Sequence, residues 1–155
     1  MAEHTIGIEW KLASQDFVYE KYSRDHTWNF GGSNTVCASS APDYYGNPSC
    51  LNPEQAFAAS LASCHMLTFL AMCSRRGYRV VRYGDDATAV LGKTKAGKIA
   101  VTKVVLRPRV VFSKDKAPVE EQFQLLHDRA HDNCFIANSC ANCVEVSVVP
   151  SMQRE

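Results

Sequence analysis

The sequence has almost no charge of one sign to spare. Seventeen Lys and Arg against sixteen Asp and Glu leave a formal charge of +1 over 155 residues, and neither sign gathers in long runs. Binding to nucleic acid or to an anionic membrane surface draws on a basic excess, so neither is expected. Internal repeats and low-complexity segments are also lacking, which excludes a solenoid or a tethering linker. The opening Met1-Ala2-Glu3-His4 has no basic region followed by an apolar stretch. No secretory leader is therefore expected, and the chain reads as cytoplasmic. In such a compartment the seven cysteines should be mostly reduced thiols, kept for chemistry or buried as small hydrophobes, rather than a disulfide framework. Their odd number leaves at least one unpaired.

What is present is ordinary globular material, 46% apolar and 21% charged. That is enough for one domain over residues 1–155 with a real core. Ile6, Ile8 and Trp10 alternate, Phe17, Tyr19 and Tyr22 follow less regularly, and Gly31-Gly32 marks a turn, so 4–39 is strand-like. Residues 40–51, with Pro42, Gly46, Asn47 and Pro48, read as a surface loop.

A long helix follows. Asn52 suits the N-cap, Pro53 the first helical position and Glu54 the positive end of the dipole, while Gln55 completes a capping-box pattern. Arg75 or Arg76 and then Gly77 mark its end, giving roughly 23 residues and about 34 Å. Between Ala56 and Cys73 the only polar residues are Ser60, Ser63, His65 and Thr68, so the helix should be buried nearly all round. A membrane span of about 20 apolar residues is the other use of such a segment. The Ala/Ser-rich composition and the central His argue against it.

Residues 80–91 and 99–112 read as two strands of a hairpin turning near Lys93–Gly97, with Pro108 marking an edge or a bulge. A second helix starts near Pro118. Its apolar stripe, Val119, Phe123, Leu126, Ala130 and Cys134, puts Cys134 on the core-facing side at its C-terminal end. A last strand covers 144–149. The class is α+β. A chain this short has difficulty surrounding a 34 Å helix, and sharing that helix with an identical neighbour solves the burial problem, so a homodimer is expected.

Cys64 taken alone reads as a small core hydrophobe. Cys134 also points inward, however, and two inward thiols on facing helices can meet. Burial by itself would raise a thiol pKa and leave it inert, so chemistry would need a nearby cation. Arg24, in Tyr22-Ser23-Arg24-Asp25-His26, is the candidate; otherwise it is a solvated turn charge.

The stretch Asn52-Pro53-Glu54-Gln55-Ala56-Phe57-Ala58-Ala59-Ser60-Leu61-Ala62-Ser63-Cys64 resembles the central-helix motif of the OsmC/Ohr family, the osmotically inducible protein C and organic hydroperoxide resistance proteins. Cys134-Phe135-Ile136-Ala137-Asn138-Ser139 resembles its second cysteine motif, and Tyr22 to Trp28 looks like the OsmC-like branch. The resemblance implies antiparallel sheets around a long buried central helix in an intertwined homodimer. It implies a thiol peroxidase acting on organic hydroperoxides, and on hydrogen peroxide as a further substrate, with no metal and no cofactor. Cys64 would be the peroxidatic thiolate, Cys134 the resolving cysteine, Arg24 the stabilising cation and Glu54 its ion-pair partner. A small dithiol or lipoyl-type reductant would recycle it. Ten residues of helix put Glu54 and Cys64 about 15 Å apart. If Arg24 serves both, Glu54 comes from the partner's antiparallel helix.

Cys140-x-x-Cys143 could be redox-active or half of a zinc site, but no second Cys-x-x-Cys and no paired His spacing accompany it. Cys37, Cys50 and Cys73 belong to no motif. His65 adjoins Cys64 but points about 100° away on the helix. His131 lies three residues before Cys134, within same-face reach, and His127 sits one turn earlier. The rival readings are a non-catalytic protein of the same fold that binds a small apolar ligand or senses oxidants, and a metal-binding domain built on the Cys-rich tail.

Overall fold

The computed structural model describes residues 2–155, and the chain divides into two compact units, Met1–Ala56 and Phe57–Glu155. The first holds an antiparallel sheet of β1 (Gly7–Glu9), β2 (His26–Asn29) and β3 (Thr35–Ala38) in sequential order. After β3 the chain makes a 3-10 turn over Pro42–Tyr44 and returns to its own strand, where Ala38 and Leu51 form a parallel bridge. Leu51 N donates to the Cys37 carbonyl at 3.0 Å and Ser39 N to the Leu51 carbonyl at 2.9 Å.

This return path sets two cysteines apart from the mostly reduced thiols expected. It brings Cys37 and Cys50 to a Cα separation of 5.1 Å, and they are joined as a disulfide. No local motif announces the pairing, because a loop folding back onto its strand creates it. The free thiols among the described residues are Cys64, Cys73, Cys134, Cys140 and Cys143.

The long helix, α1, spans Pro53–Arg75, and both its ends form as their residues dictate. Asn52 and Gln55 exchange hydrogen bonds, Gln55 N to Asn52 Oδ1 at 2.8 Å and Asn52 N to Gln55 Oε1 at 3.0 Å, a completed capping box. At the other end Gly77 is left-handed (φ 76°), and the N–H groups of Tyr78 and Gly77 bond the carbonyls of Cys73 and Ser74. This is the paired closure that favours glycine at that position.

Burial of α1 follows one stripe, Ala58, Leu61, His65, Phe69 and Cys73. Ala59, Ser63, Leu67 and Ala71 form an exposed stripe on the other side, so the all-round burial expected from composition is not met within the chain. By length and hydropathy α1 would pass for a membrane span, yet Leu61, His65, Phe69 and Cys73 sit almost wholly inside a protein core.

The two long strands expected at 80–91 and 99–112 are each two strands in different sheets. The second unit contains β4 (Val80–Asp85), β5 (Thr88–Lys93), β6 (Ile99–Leu106) and β7 (Pro108–Phe112), then α2 (Glu120–Asp132), α3 (Phe135–Cys140), β8 (Glu145–Val148) and β9 (Ser151–Arg154). The sheets run β4-β7-β9 and β5-β6-β8, antiparallel except for the parallel pairs β7–β9 and β6–β8. The crossing points are Asp86-Ala87 and Arg107. There Arg107 N donates to Asp85 Oδ1 at 2.6 Å and its guanidinium to Thr88 Oγ1 at 2.9 Å, while Arg109 pairs with Asp86. Pro108 is the first residue of a central strand, not of an edge. It has no N–H to give a ladder, and it marks the switch between sheets. The β5–β6 hairpin turns where expected, with Gly97 at φ 75°.

Two apolar clusters result. The N-terminal half of α1, through Ala58 and Leu61, packs with Val104 and Leu106 of β6, Cys134, Ala137 and Cys140 around α3, and Val144. The C-terminal half, through Phe69 and Cys73, packs with Val110 and Phe112 of β7 and with Phe123, Leu126 and Ala130 of α2.

Candidate functional site

Cys64 is half-buried on α1 and packs against the first of these clusters. Cys134 is fully buried within it. Cys134 does not lie on the second helix, as its spacing suggested. α2 ends at Asp132 with Asn133 as its C-cap, and Cys134 is the N-cap of α3. The reason is local: the Cys134 sulfur accepts from Ala137 N at 3.4 Å, the part an Asp or Ser oxygen plays at other helix starts. A new helix therefore begins where the stripe was expected to continue. Val119, assigned to the same stripe, also lies outside the helix, exposed as the residue before α2.

The two thiols nonetheless meet. Burial, and then a hydrogen bond to Cys64, push the Cys134 thiol up to about 11, against a smaller lowering by the Ala137 N–H; the negative charge of a Cys64 thiolate would raise it further. At neutral pH Cys134 is therefore a protonated thiol facing the Cys64 sulfur. Of the two, Cys64 is the more accessible, so the pair is asymmetric in access.

Next to Cys64 on α1, His65 is buried and hydrogen-bonded to His127 of α2, Nε2 to Nδ1 at 2.9 Å. The rings are nearly parallel, and Phe69 stacks on His127 with centroids 4.1 Å apart. His65 Nδ1 and His127 Nε2 have no partner. Desolvation, reinforced by His131, lowers the His65 pKa to about 4. Desolvation, reinforced by His65, lowers that of His127 to about 3. Both rings are neutral at physiological pH. This pair was missed in the sequence, although His127 stands four residues after Phe123 and so falls on the apolar face of α2.

Arg24 belongs to the first unit and is not the solvated turn charge of the plainer reading. Its guanidinium lies 3.8 Å from the Tyr22 ring centroid and 5.1 Å from those of Tyr19 and Tyr45, and it donates to the Tyr22 and Tyr19 carbonyls. Tyr45 is delivered by the disulfide-closed loop, in a left-handed conformation at φ 61°. Glu54, in the first turn of α1, has a buried Oε2 without a hydrogen-bond partner. Among the described residues the ion pairs are Lys103–Glu145 and Arg109–Asp86, so Arg24 and Glu54 do not pair within the chain.

Cys73 is buried at the far end of α1, its thiol pushed up to about 12 by desolvation despite the neighbouring Arg76. Among the described residues no group of three or more His, Cys, Asp or Glu side chains is arranged to hold a metal ion.

Comparison with known proteins agrees with this fold. A family model described as OsmC-like protein matches residues 46–149. A solved OsmC-like protein of unknown function from Vibrio cholerae O1 biovar eltor str. N16961 is 44% identical, with a TM-score of 0.87 over 98% of this chain and 99% of that chain. The organic hydroperoxide resistance protein OhrB of Bacillus subtilis shares the fold at 17% identity, with a TM-score of 0.69 over 97% of this chain and 98% of that one. The uncharacterized protein YmaD of Bacillus subtilis (strain 168) is 23% identical over 135 residues, 84% of this chain and 88% of its own length.

Proposed function

The chain belongs to the OsmC-like family, and on that premise we propose that it is a thiol-dependent peroxidase that reduces organic hydroperoxides. The observation that carries this reading is the contact between half-buried Cys64 and buried, protonated Cys134.

Cys64, as a thiolate, attacks the terminal oxygen of the hydroperoxide. A sulfur–oxygen bond forms, the oxygen–oxygen bond breaks, and the alkoxide takes up a proton to leave as an alcohol. Cys64 is then a sulfenic acid. The Cys134 sulfur attacks it, and the hydroxide leaves as water with the proton Cys134 held. An external dithiol, of lipoyl type or smaller, returns two electrons by exchange, entering at the more accessible Cys64. Leu61, Ala62 and Ile136 lie in or against the same cluster and favour an apolar peroxide over hydrogen peroxide.

Arg24 is proposed as the cation that favours the thiolate and neutralises charge on the departing oxygen. Glu54 is proposed to hold the Arg24 of a second copy in a homodimer. Two observations support this: the buried Glu54 Oε2 has no partner within the chain, and the Ala59-Ser63-Leu67-Ala71 stripe of α1 is uncovered. Leu67 is 61% exposed, and substituting Glu there should turn a dimer into monomers in sedimentation velocity. A wild-type protein that is already monomeric at micromolar concentration would remove the dimer from the account. The five free thiols suit the cytoplasm, a setting in which the Cys37–Cys50 bond would be open to reduction.

The direct test is consumption of cumene hydroperoxide with a dithiol reductant. Wild type should turn over, and Cys64→Ser should fall to the uncatalysed background. Equal rates for the two proteins would end the proposal.

A further inference from the structure

The Cys140-x-x-Cys143 segment is not used by the mechanism above. Cys140 is the last residue of α3 and Cys143 lies in the turn that follows, before β8. The turn is closed by Cys143 N donating to the Cys140 carbonyl at 3.0 Å, with Val144 N bonding the same oxygen. A bond from residue i+3 back to residue i defines a β-turn, which holds the two Cα atoms within about 7 Å. A disulfide spans Cα separations of about 4.4–6.8 Å. The backbone is therefore already folded for one.

The side chains are divided as in the Cys64–Cys134 pair. Cys143 is exposed and Cys140 is buried. Cys140 sits in the same apolar cluster as Cys134, its S–H directed at the Ile136 and Ala137 carbonyls at 3.3 and 3.5 Å. Cys143 donates to the Cys140 carbonyl at 3.4 Å. Burial raises the Cys140 pKa, and the charge of a Cys143 thiolate raises it further, which is the electrostatic mark of two neighbouring sulfurs. Closing the bond requires both thiols to give up weak S–H contacts to carbonyls.

We propose that Cys140 and Cys143 form a second redox dithiol, separate from Cys64 and Cys134, that exchanges with small-molecule disulfides through the exposed Cys143. The Cys143 thiolate attacks one sulfur of the external disulfide and expels the other as a thiolate. Cys140, losing its proton, then attacks the Cys143 sulfur of the mixed disulfide and expels the second thiolate. One external disulfide is reduced to two thiols, and the protein dithiol is oxidised by the same two electrons. α3 carries Cys134 at one end and Cys140 at the other, six residues and about 9 Å along the axis. Direct exchange between the two pairs is therefore not part of the proposal.

The test uses the full chain, as wild type and as Cys64→Ser, equilibrated in 2-hydroxyethyl disulfide and 2-mercaptoethanol over a range of ratios. Free thiols are then alkylated and peptides mapped by mass spectrometry. A Cys140–Cys143 disulfide should appear in both proteins, with the two thiols losing reactivity together as a two-electron couple. In Cys140→Ser, Cys143 should carry a stable mixed disulfide, whereas in Cys143→Ser, Cys140 should remain free. The proposal is overturned if both thiols stay alkylated at every ratio, or if Cys143→Ser accumulates a mixed disulfide on Cys140. Because Cys64→Ser is included, the result stands apart from the fate of the peroxidase reading.

Discussion

The two halves of α1 are built for different work. Toward its N-terminus the helix presents Ala58, Leu61 and Cys64 to Val104, Leu106, Cys134 and Ala137, small and medium side chains with sulfur among them. Toward its C-terminus it presents Phe69 and Cys73 to Val110, Phe112, Phe123 and Leu126, and the aromatic rings interlock. Phe69 meets Phe112 and Phe123 edge-on, with centroids 6.5 and 6.0 Å apart, and stacks on His127. Large rings fix a core through area and geometry, whereas thiols lined by small residues leave sulfur room to change partners. The thiols at the two ends show the same division. Cys134 is held against a second thiol, while burial alone pushes the Cys73 thiol up to about 12 despite Arg76.

This contrast breaks most visibly under truncation. Phe69→Ala should cost about 4 kcal/mol in denaturant unfolding, the range for a buried aromatic emptied into a cavity, with peroxide turnover per folded molecule near wild type. Leu61→Ala should cost about 3 kcal/mol and also lower turnover, because it opens the wall beside Cys64. If the two variants lost turnover equally at matched folded fraction, the division of labour would not hold.

A pH effect sharpens the aromatic half. His65 and His127 have folded pKa values of about 4 and about 3, below the ordinary value near 6.5. The unfolded chain therefore binds more protons than the folded one between those limits, so stability is full above about pH 6.5 and falls as the pH drops toward 4. For His65 alone the loss over that interval is about 3 kcal/mol. Thermal melts at pH 7 and pH 4.5 should show the drop, and a His65→Leu/His127→Phe double variant should lose much of it. An unchanged pH dependence in that variant would assign acid sensitivity to other groups.

The parts of the fold that were legible in the sequence are those set by local chemistry. Asn52, Gln55 and Gly77 mark the ends of α1 because capping and a left-handed glycine are satisfied within a few residues. The Cys64–Cys134 meeting was legible as two inward-facing thiols, made specific by the family resemblance. The rest depends on contacts distant in sequence. Whether 80–91 is one strand or two is decided by Arg107 crossing to Asp85 and Thr88. Cys37 meets Cys50 only because a loop returns to β3. Cys134 starts a helix instead of ending one because its sulfur, like an N-cap oxygen, finds Ala137 N. Periodicity sees none of these. His127 shows the opposite failure, since its place on the apolar stripe was visible, but an imidazole there reads as solvated until its buried partner is known.

The central claim, that Cys64 is oxidised first and Cys134 resolves it, is tested most directly by a single turnover with one equivalent of cumene hydroperoxide, followed by thiol mapping. Wild type should yield a Cys64–Cys134 disulfide, and Cys134→Ser should instead accumulate a sulfenic acid on Cys64 that a dimedone probe captures. A wild-type protein left with both thiols free, or a Cys134→Ser variant labelled at another cysteine, would contradict the account.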